Sequence, residues 1–117
     1  MENRDRNLKV FVENRDHQSG FHIYLGYAGG RQEYLKTSRH NGLLYHALED
    51  GVKVEVLRKW LTGEARLKGL GDRRSRSRAT AHAEGSIRQL VRVIDEFVAR
   101  KEEEEALRRD EIKGRLQ

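Results

Sequence analysis

Residues 21–61 read FHIYLGYAGGRQEYLKTSRHNGLLYHALEDGVKVEVLRKWL, and the fold turns on how this run divides. From Phe21 to Tyr27 the chain alternates, with Phe21, Ile23, Leu25 and Tyr27 on one face and His22, Tyr24 and Gly26 on the other. That pattern predicts a strand with one buried face. Gly29-Gly30 supplies the positive φ angles of a tight hairpin, and a third strand is predicted from Arg31 to Thr37. Beyond the capping residues Ser38–Asn41, Leu43, Leu44, Ala47 and Leu48 recur at helical spacing, and Gly51 ends that helix. Val52, Val56, Leu57, Trp60 and Leu61 predict a second short helix, closed by Thr62-Gly63.

Upstream, Leu8, Val10 and Val12 share one face of a strand and Lys9, Phe11 and Glu13 the other. Asn14–Gly20 is rich in turn formers and predicts a loop of about seven residues. Downstream, Glu64–Arg78 (EARLKGLGDRRSRSR) reads as a basic loop. A long helix follows, with Ser86 and Gln89 as a capping box, although Ala79, Ala81 and Ala83 allow an earlier start. Its apolar stripe, Ile87, Leu90, Val91, Ile94, Phe97 and Val98, must bury itself on the sheet, on the helix pair or on a second copy of the chain. After Ala99 the stripe fails. Glu104 and Arg108, Glu105 and Arg109, and Glu111 and Arg115 are spaced four apart, each pair worth about 0.2 to 0.5 kcal/mol on an isolated helix. The expected architecture is α+β: a three-stranded antiparallel meander, a short helix pair and a long C-terminal helix. Residues 1–101 form one small domain containing the basic loop 64–78, and residues 102–117 form a charged helical extension.

The hairpin length decides what shares the sheet's outer face, because residues directly opposite in an antiparallel pair lie on the same side. A two-residue loop places Leu25 across from Tyr34 and sends Tyr34 to the core. A three-residue loop places Tyr24 across from Tyr34 and Ile23 across from Leu35. In that register Phe11, Tyr24 and Tyr34 lie on the outer face with His22, Lys9 and Lys36, a set resembling the platforms on which single-stranded bases stack. The competing reading has the long helix cover this face and turn the aromatics into a second core.

The chain of 117 residues carries a net charge of +5 and contains no cysteine and no proline. Disulfides, thiolate catalysis and cysteine-ligated zinc are thereby excluded. No apolar run approaches the length of a membrane span, and MENRDRN lacks the apolar centre of a signal peptide, so no membrane partner and a cytoplasmic location are expected. Charge is uneven. Residues 62–81 hold six cations against two anions, whereas residues 102–117 hold four against six. A basic segment of this kind suits an anionic partner, or simply keeps the chain soluble.

Few residues point to catalysis. His40 and His46 lie six apart, which is not the one-turn spacing of a helical metal pair, and no metal or cofactor is expected. The glycines of YAGGR join two strands and do not open a helix, so they form no phosphate-binding fingerprint. No GxSxG elbow is present, and Ser38, Ser75, Ser77 and Ser86 lack a context that would activate a nucleophile. A metal-independent ribonuclease would draw on His22, Arg39, His40, Tyr45 and His46 as acid, base and phosphate clamps. The strongest electrostatic feature is Asp72–Arg78, DRRSRSR, whose arginines can follow a phosphate backbone by releasing counterions.

The leading expectation is a nucleic-acid-binding accessory or regulatory protein without catalytic residues, for RNA or DNA. Arg73, Arg74, Arg76 and Arg78 would contact phosphates, helped by Arg31, Lys36 and Arg39, and Tyr24, Tyr34 and Phe11 would stack on bases in the three-residue register. The alternative is an adaptor or inhibitor that uses Ile87, Leu90, Val91, Ile94, Phe97 and Val98 to form a homodimer or hold a protein partner.

Two resemblances bear on this. Leu43–Trp60 resembles a helix-turn-helix in its small residue at Ala47, its glycine at Gly51 and its apolar Val52, Leu57 and Trp60, and departs from that pattern at His46 and Asp50. The resemblance implies Lys53, Glu55, Arg58 and Lys59 as the exposed positions of a recognition helix. A structural helical hairpin on the sheet is the other reading of the same segment. A three-stranded antiparallel sheet followed by a helix is also similar, in topology, to small sheet-based DNA-binding modules such as the arm-binding domains of phage integrases.

Overall fold

The computed structural model describes residues 7–16, 20–27, 30–39, 41–71, 73 and 77–116. The elements run β1 (Lys9–Asp16), β2 (Gly20–Gly26), β3 (Gln32–Ser38), α1 (Gly42–Leu48), β4 (Val52–Lys53), α2 (Val54–Leu61) and α3 (Arg78–Leu116). The architecture is α+β, with the antiparallel strands β1–β3 followed by short helices and a long C-terminal one. A fourth strand joins them in the order β3-β2-β1-β4. Two residues cannot display an alternation, so β4 carries no signal of its own in the sequence. It forms because Gly51, at φ +84°, swings the chain back alongside β1, where Lys9 pairs with Lys53 and Val10 with Val52.

The β2–β3 register combines both hairpin readings. Next to the turn the three-residue register holds: Tyr24 faces Tyr34, Leu25 faces Glu33 and Gly26 faces Gln32. The Tyr27 N–H donates to the Arg31 carbonyl at 2.7 Å and the Gly30 N–H to the Tyr27 carbonyl at 3.1 Å. A bulge then intervenes, and Ile23 faces Lys36, His22 faces Thr37 and Phe21 faces Ser38. Leu35 and Lys36 together oppose Ile23, the two-against-one arrangement of a β-bulge. Leu35 consequently packs on the core, and Lys36 is half-buried on that same side. The expectation that Lys36 shares a face with Tyr24 and Tyr34 is corrected by this one inserted residue.

The core lies on one side of the sheet. Val10, Phe21, Ile23 and Leu25 meet Leu44, Ala47 and Leu48 of α1, Val54, Leu57 and Trp60 of α2, and Ala83, Ile87, Leu90, Val91 and Ile94 of α3. Each large side chain so buried contributes about 1.5 to 3 kcal/mol of transfer free energy. Trp60 also satisfies its indole N–H, which donates to the Gly71 carbonyl at 3.2 Å. That bond, with the buried Leu67 and Leu70, packs the early part of the basic loop against the domain, which its glycine-rich sequence did not suggest.

Capping residues set the helix ends. Asn41 Oδ1 accepts the Leu44 N–H at 3.2 Å, opening α1. Ser77 Oγ accepts the Thr80 N–H at 3.0 Å, so α3 takes the earlier of its two possible starts. Ser86, predicted as the cap, lies inside α3 and accepts from Asn41 Nδ2 at 3.3 Å, tying α3 to the start of α1. Beyond Lys101 every described side chain of α3 is exposed.

Candidate functional site

The face of the sheet opposite the core carries Lys9, Phe11 and Glu13 from β1, His22, Tyr24 and Gly26 from β2, and Gln32, Tyr34 and Thr37 from β3. Strand alternation sends these side chains away from Val10, Ile23 and Leu25. Phe11, Tyr24 and Tyr34 form one row, since Phe11 faces Tyr24 and Tyr24 faces Tyr34. None of the three belongs to the core cluster or packs against it, and Tyr34 is 52% exposed. The reading in which α3 covers this face does not hold, because the α3 stripe lies in the core on the other side.

The aromatics are held by each other and by their neighbours. Tyr24 and Tyr34 meet edge-on with ring centroids 5.9 Å apart, and His22 meets Tyr34 at the same separation. Thr37 Oγ1 is 2.6 Å from the Tyr34 hydroxyl and 2.8 Å from His22 Nδ1, linking three polar groups in one chain. Phe11 is wedged between glycines: a Cβ at Gly26 would stand 2.5 Å from its ring and one at Gly51 2.7 Å. The row is therefore a preorganised aromatic surface fringed by hydroxyl, imidazole and ammonium groups.

The predicted phosphate contacts are dispersed. Arg31 lines a groove of about 530 Å³ with Tyr27, Glu33, Val98, Lys101 and Arg108. There Lys101 Nζ is 3.2 Å from Glu33, and the lining holds both cations and carboxylates. The Tyr27 hydroxyl is buried in this region without a hydrogen-bond partner among the described residues, and burial, Glu33 and Glu105 push its pKa up. Arg39 is exposed just after β3. Arg73 Nε donates to Glu84 Oε1 at 3.0 Å, and Arg88 reaches the same oxygen at 2.8 Å. Hydrogen bonds from Arg73 and Arg88 hold the Glu84 carboxyl below the usual carboxylate range. Arg78 is exposed at the start of α3, while Arg74 and Arg76 lie outside the described residues.

Other candidates are not brought together. His22 is on the outer sheet face, whereas Tyr45 packs edge-on against Phe21 at 5.6 Å on the core side, and His46 is 3.5 Å from Glu49 on α1. His40 lies outside the described residues. In Leu43–Trp60 the two-residue β4 lies between the helices, and of the positions a recognition helix would expose, Arg58 bonds Asp95 of α3 and Lys59 pairs with Glu55 at 3.2 Å. The interface stripe is enclosed within the chain, with Ile87, Leu90, Val91 and Ile94 buried and Phe97 and Val98 half-buried against the same core. Among the described residues no three His, Asp or Glu side chains are grouped to hold a metal ion, and no helix is long and apolar enough to cross a membrane.

Sequence reasoning named the aromatic row but left Lys53 out of it. Its place beside Lys9 depends on β4, which only the chain reversal at Gly51 creates. No known protein family, curated protein or solved structure compared with the chain matches it.

Proposed function

We propose that this protein binds single-stranded nucleic acid on the outer face of its sheet, without catalysis. The observation that carries the reading is the row Phe11, Tyr24 and Tyr34 on the face of the sheet opposite the core, against which none of the described helices packs. Stacking of a base on such a ring is worth about 1 to 3 kcal/mol and tolerates any base, because every base has a π-face. A duplex fits less well, since its major groove admits a helix or a two-stranded ribbon and not the breadth of this sheet. Arg39 and Arg78, both exposed, offer backbone contacts at the margins. Arg73 is a weaker candidate than its sequence setting suggests, because Glu84 already holds it.

The test is fluorescence anisotropy of labelled single-stranded RNA, single-stranded DNA and duplex DNA at two salt concentrations. Salt-sensitive binding to a single strand, lost in the Tyr24→Ala/Tyr34→Ala double variant, is the expected result. Absence of binding to every probe at low salt, or preference for the duplex, would overturn the proposal. The RNA and DNA arms distinguish the two ligands directly.

A further inference from the structure

We infer that Lys9 and Lys53, with Arg66 beyond them, form the phosphate track of this face, and that the strand's sugar-phosphate backbone leaves the aromatic row over the β4 edge. The inference rests on the nucleic-acid reading above and adds to it the path of the backbone.

Lys9 and Lys53 are cross-strand partners, so two lysine side chains leave the outer face from directly opposite positions. Like charges in that relation destabilise a sheet. Both lysines are exposed, and neither has a carboxylate partner among the described residues. Such an unrelieved pair concentrates positive potential at one spot, where a phosphate bridging both ammonium groups converts repulsion into attraction. The pair also sits in the right place. Lys9 is two residues from Phe11 on the same face of β1, and lines a shallow hollow of about 70 Å³ with Phe11, Gly26 and Gln32.

The track continues past the sheet. Lys53 lines a second recess, of about 280 Å³, together with Arg66, Lys68 and Asp50. Lys68 is committed to Asp50 at 3.2 Å, whereas Arg66, like Lys53, is exposed and has no ion pair among the described residues. Three cations therefore lead from the edge of the aromatic row around β4. On the flank of the row opposite Lys9 lie Glu13, His22 and Thr37, paired across the strands, and Glu13 there places a carboxylate that repels a phosphate. The two flanks of the row therefore differ in charge, and a strand whose bases lie on Phe11, Tyr24 and Tyr34 carries its phosphates along the lysine flank toward β4.

The experiment titrates a labelled single-stranded oligouridylate across a potassium chloride series with wild type, Lys9→Ala/Lys53→Ala, Lys9→Arg/Lys53→Arg and Tyr24→Ala/Tyr34→Ala. Each phosphate contact on a single strand contributes about 0.7 to the slope of log K against log salt. The alanine pair should flatten that slope by about 0.7, for the one phosphate the two side chains share, and the arginine pair should keep it. The tyrosine variant should lose affinity with its slope intact. Thermal melting should place the alanine pair at or above wild type, since a repulsion is removed, which separates a lost contact from a lost fold. Undiminished affinity and slope in the alanine pair would overturn the track and leave the aromatic reading standing. No binding by wild type would overturn both.

Discussion

Phe11 lies so close to Gly51 that a Cβ on the glycine would stand 2.7 Å from its ring. The contact joins an outer-face aromatic to the turn that creates β4. Gly51 is also at φ +84°, where an L side chain is strained by about 1 to 2 kcal/mol. Sliding the ring sideways from Gly51 brings its other edge onto Gly26, where a Cβ would stand 2.5 Å from it. Gly51→Ala should therefore destabilise the protein by about 2 to 4 kcal/mol, strain and overpacking together, as read from the midpoint of urea unfolding. A glycine chosen for its turn alone would show only the smaller of these effects.

The aromatic row separates stability from binding. Tyr34 is half-exposed and outside the core, so Tyr34→Ala should change unfolding free energy by less than about 1 kcal/mol. Its removal should nevertheless weaken single-strand affinity by about 5-fold or more, the lower end of what one stacked base contributes. Parallel urea titration and anisotropy on the same preparation measure both, and equal losses in the two would show that Tyr34 acts through the fold.

Much of this arrangement was legible in the sequence, for physical reasons that also explain what was not. Alternation over Leu8–Glu13 and Phe21–Tyr27 marks the buried face of the sheet, because pleated strands present every second residue to the same side. The register was readable only as two alternatives, and the chain uses both, with Leu35 as the extra residue between them. A bulge leaves no periodic mark in seven residues. β4 escaped for the same reason. Arg73 looked like a free phosphate contact in DRRSRSR, and nothing local announces that Glu84, eleven residues on, will take it. The cations next to the aromatic row come instead from Lys9 and Lys53, which are 44 positions apart and meet only through the sheet.

Glu84 gives a pH signature. Arg73 and then Arg88 hydrogen-bond its carboxylate, so its folded pKa lies below the ordinary value of 4.5. A depressed carboxylate pKa adds stability above the ordinary value, and that stability is lost as pH falls through the folded value. Glu84→Gln should accordingly melt below wild type at neutral pH, with the gap closing as pH falls below about 4.5. Melting curves across an acid series check this, and a gap independent of pH would assign the loss to packing.

Tyr27 behaves in the opposite sense. Burial first, then Glu33 and Glu105, raise its phenol above 10.0, so the protonated ring adds stability that is lost as pH rises through the folded pKa. Its hydroxyl is buried without a partner among the described residues, a condition that costs about 1 to 3 kcal/mol. Tyr27→Phe should therefore raise the melting temperature at neutral pH and reduce the fall in stability above pH 10.0, as followed by circular dichroism. A destabilised phenylalanine variant would mean that the hydroxyl is hydrogen-bonded in solution.

The end of α3 tests how far the domain extends. From Glu102 to Gly114 every side chain is exposed, including Leu107 at 60% and Ile112 at 55%, so this part of the helix buries almost nothing. Pairs such as Glu105 with Arg109, 3.6 Å apart and both well exposed, contribute only a few tenths of a kcal/mol each. A helix with so little packing persists because it continues a helix already nucleated and buried between Ala83 and Ile94. Ending the chain after Lys101 should keep the Lys101–Glu33 contact and cost less than about 1 kcal/mol, while removing the far-ultraviolet helical signal of the last four turns. A large loss of stability on truncation, or a melting temperature of the full chain that rises with protein concentration, would show instead that the extension is covered by a second copy in solution.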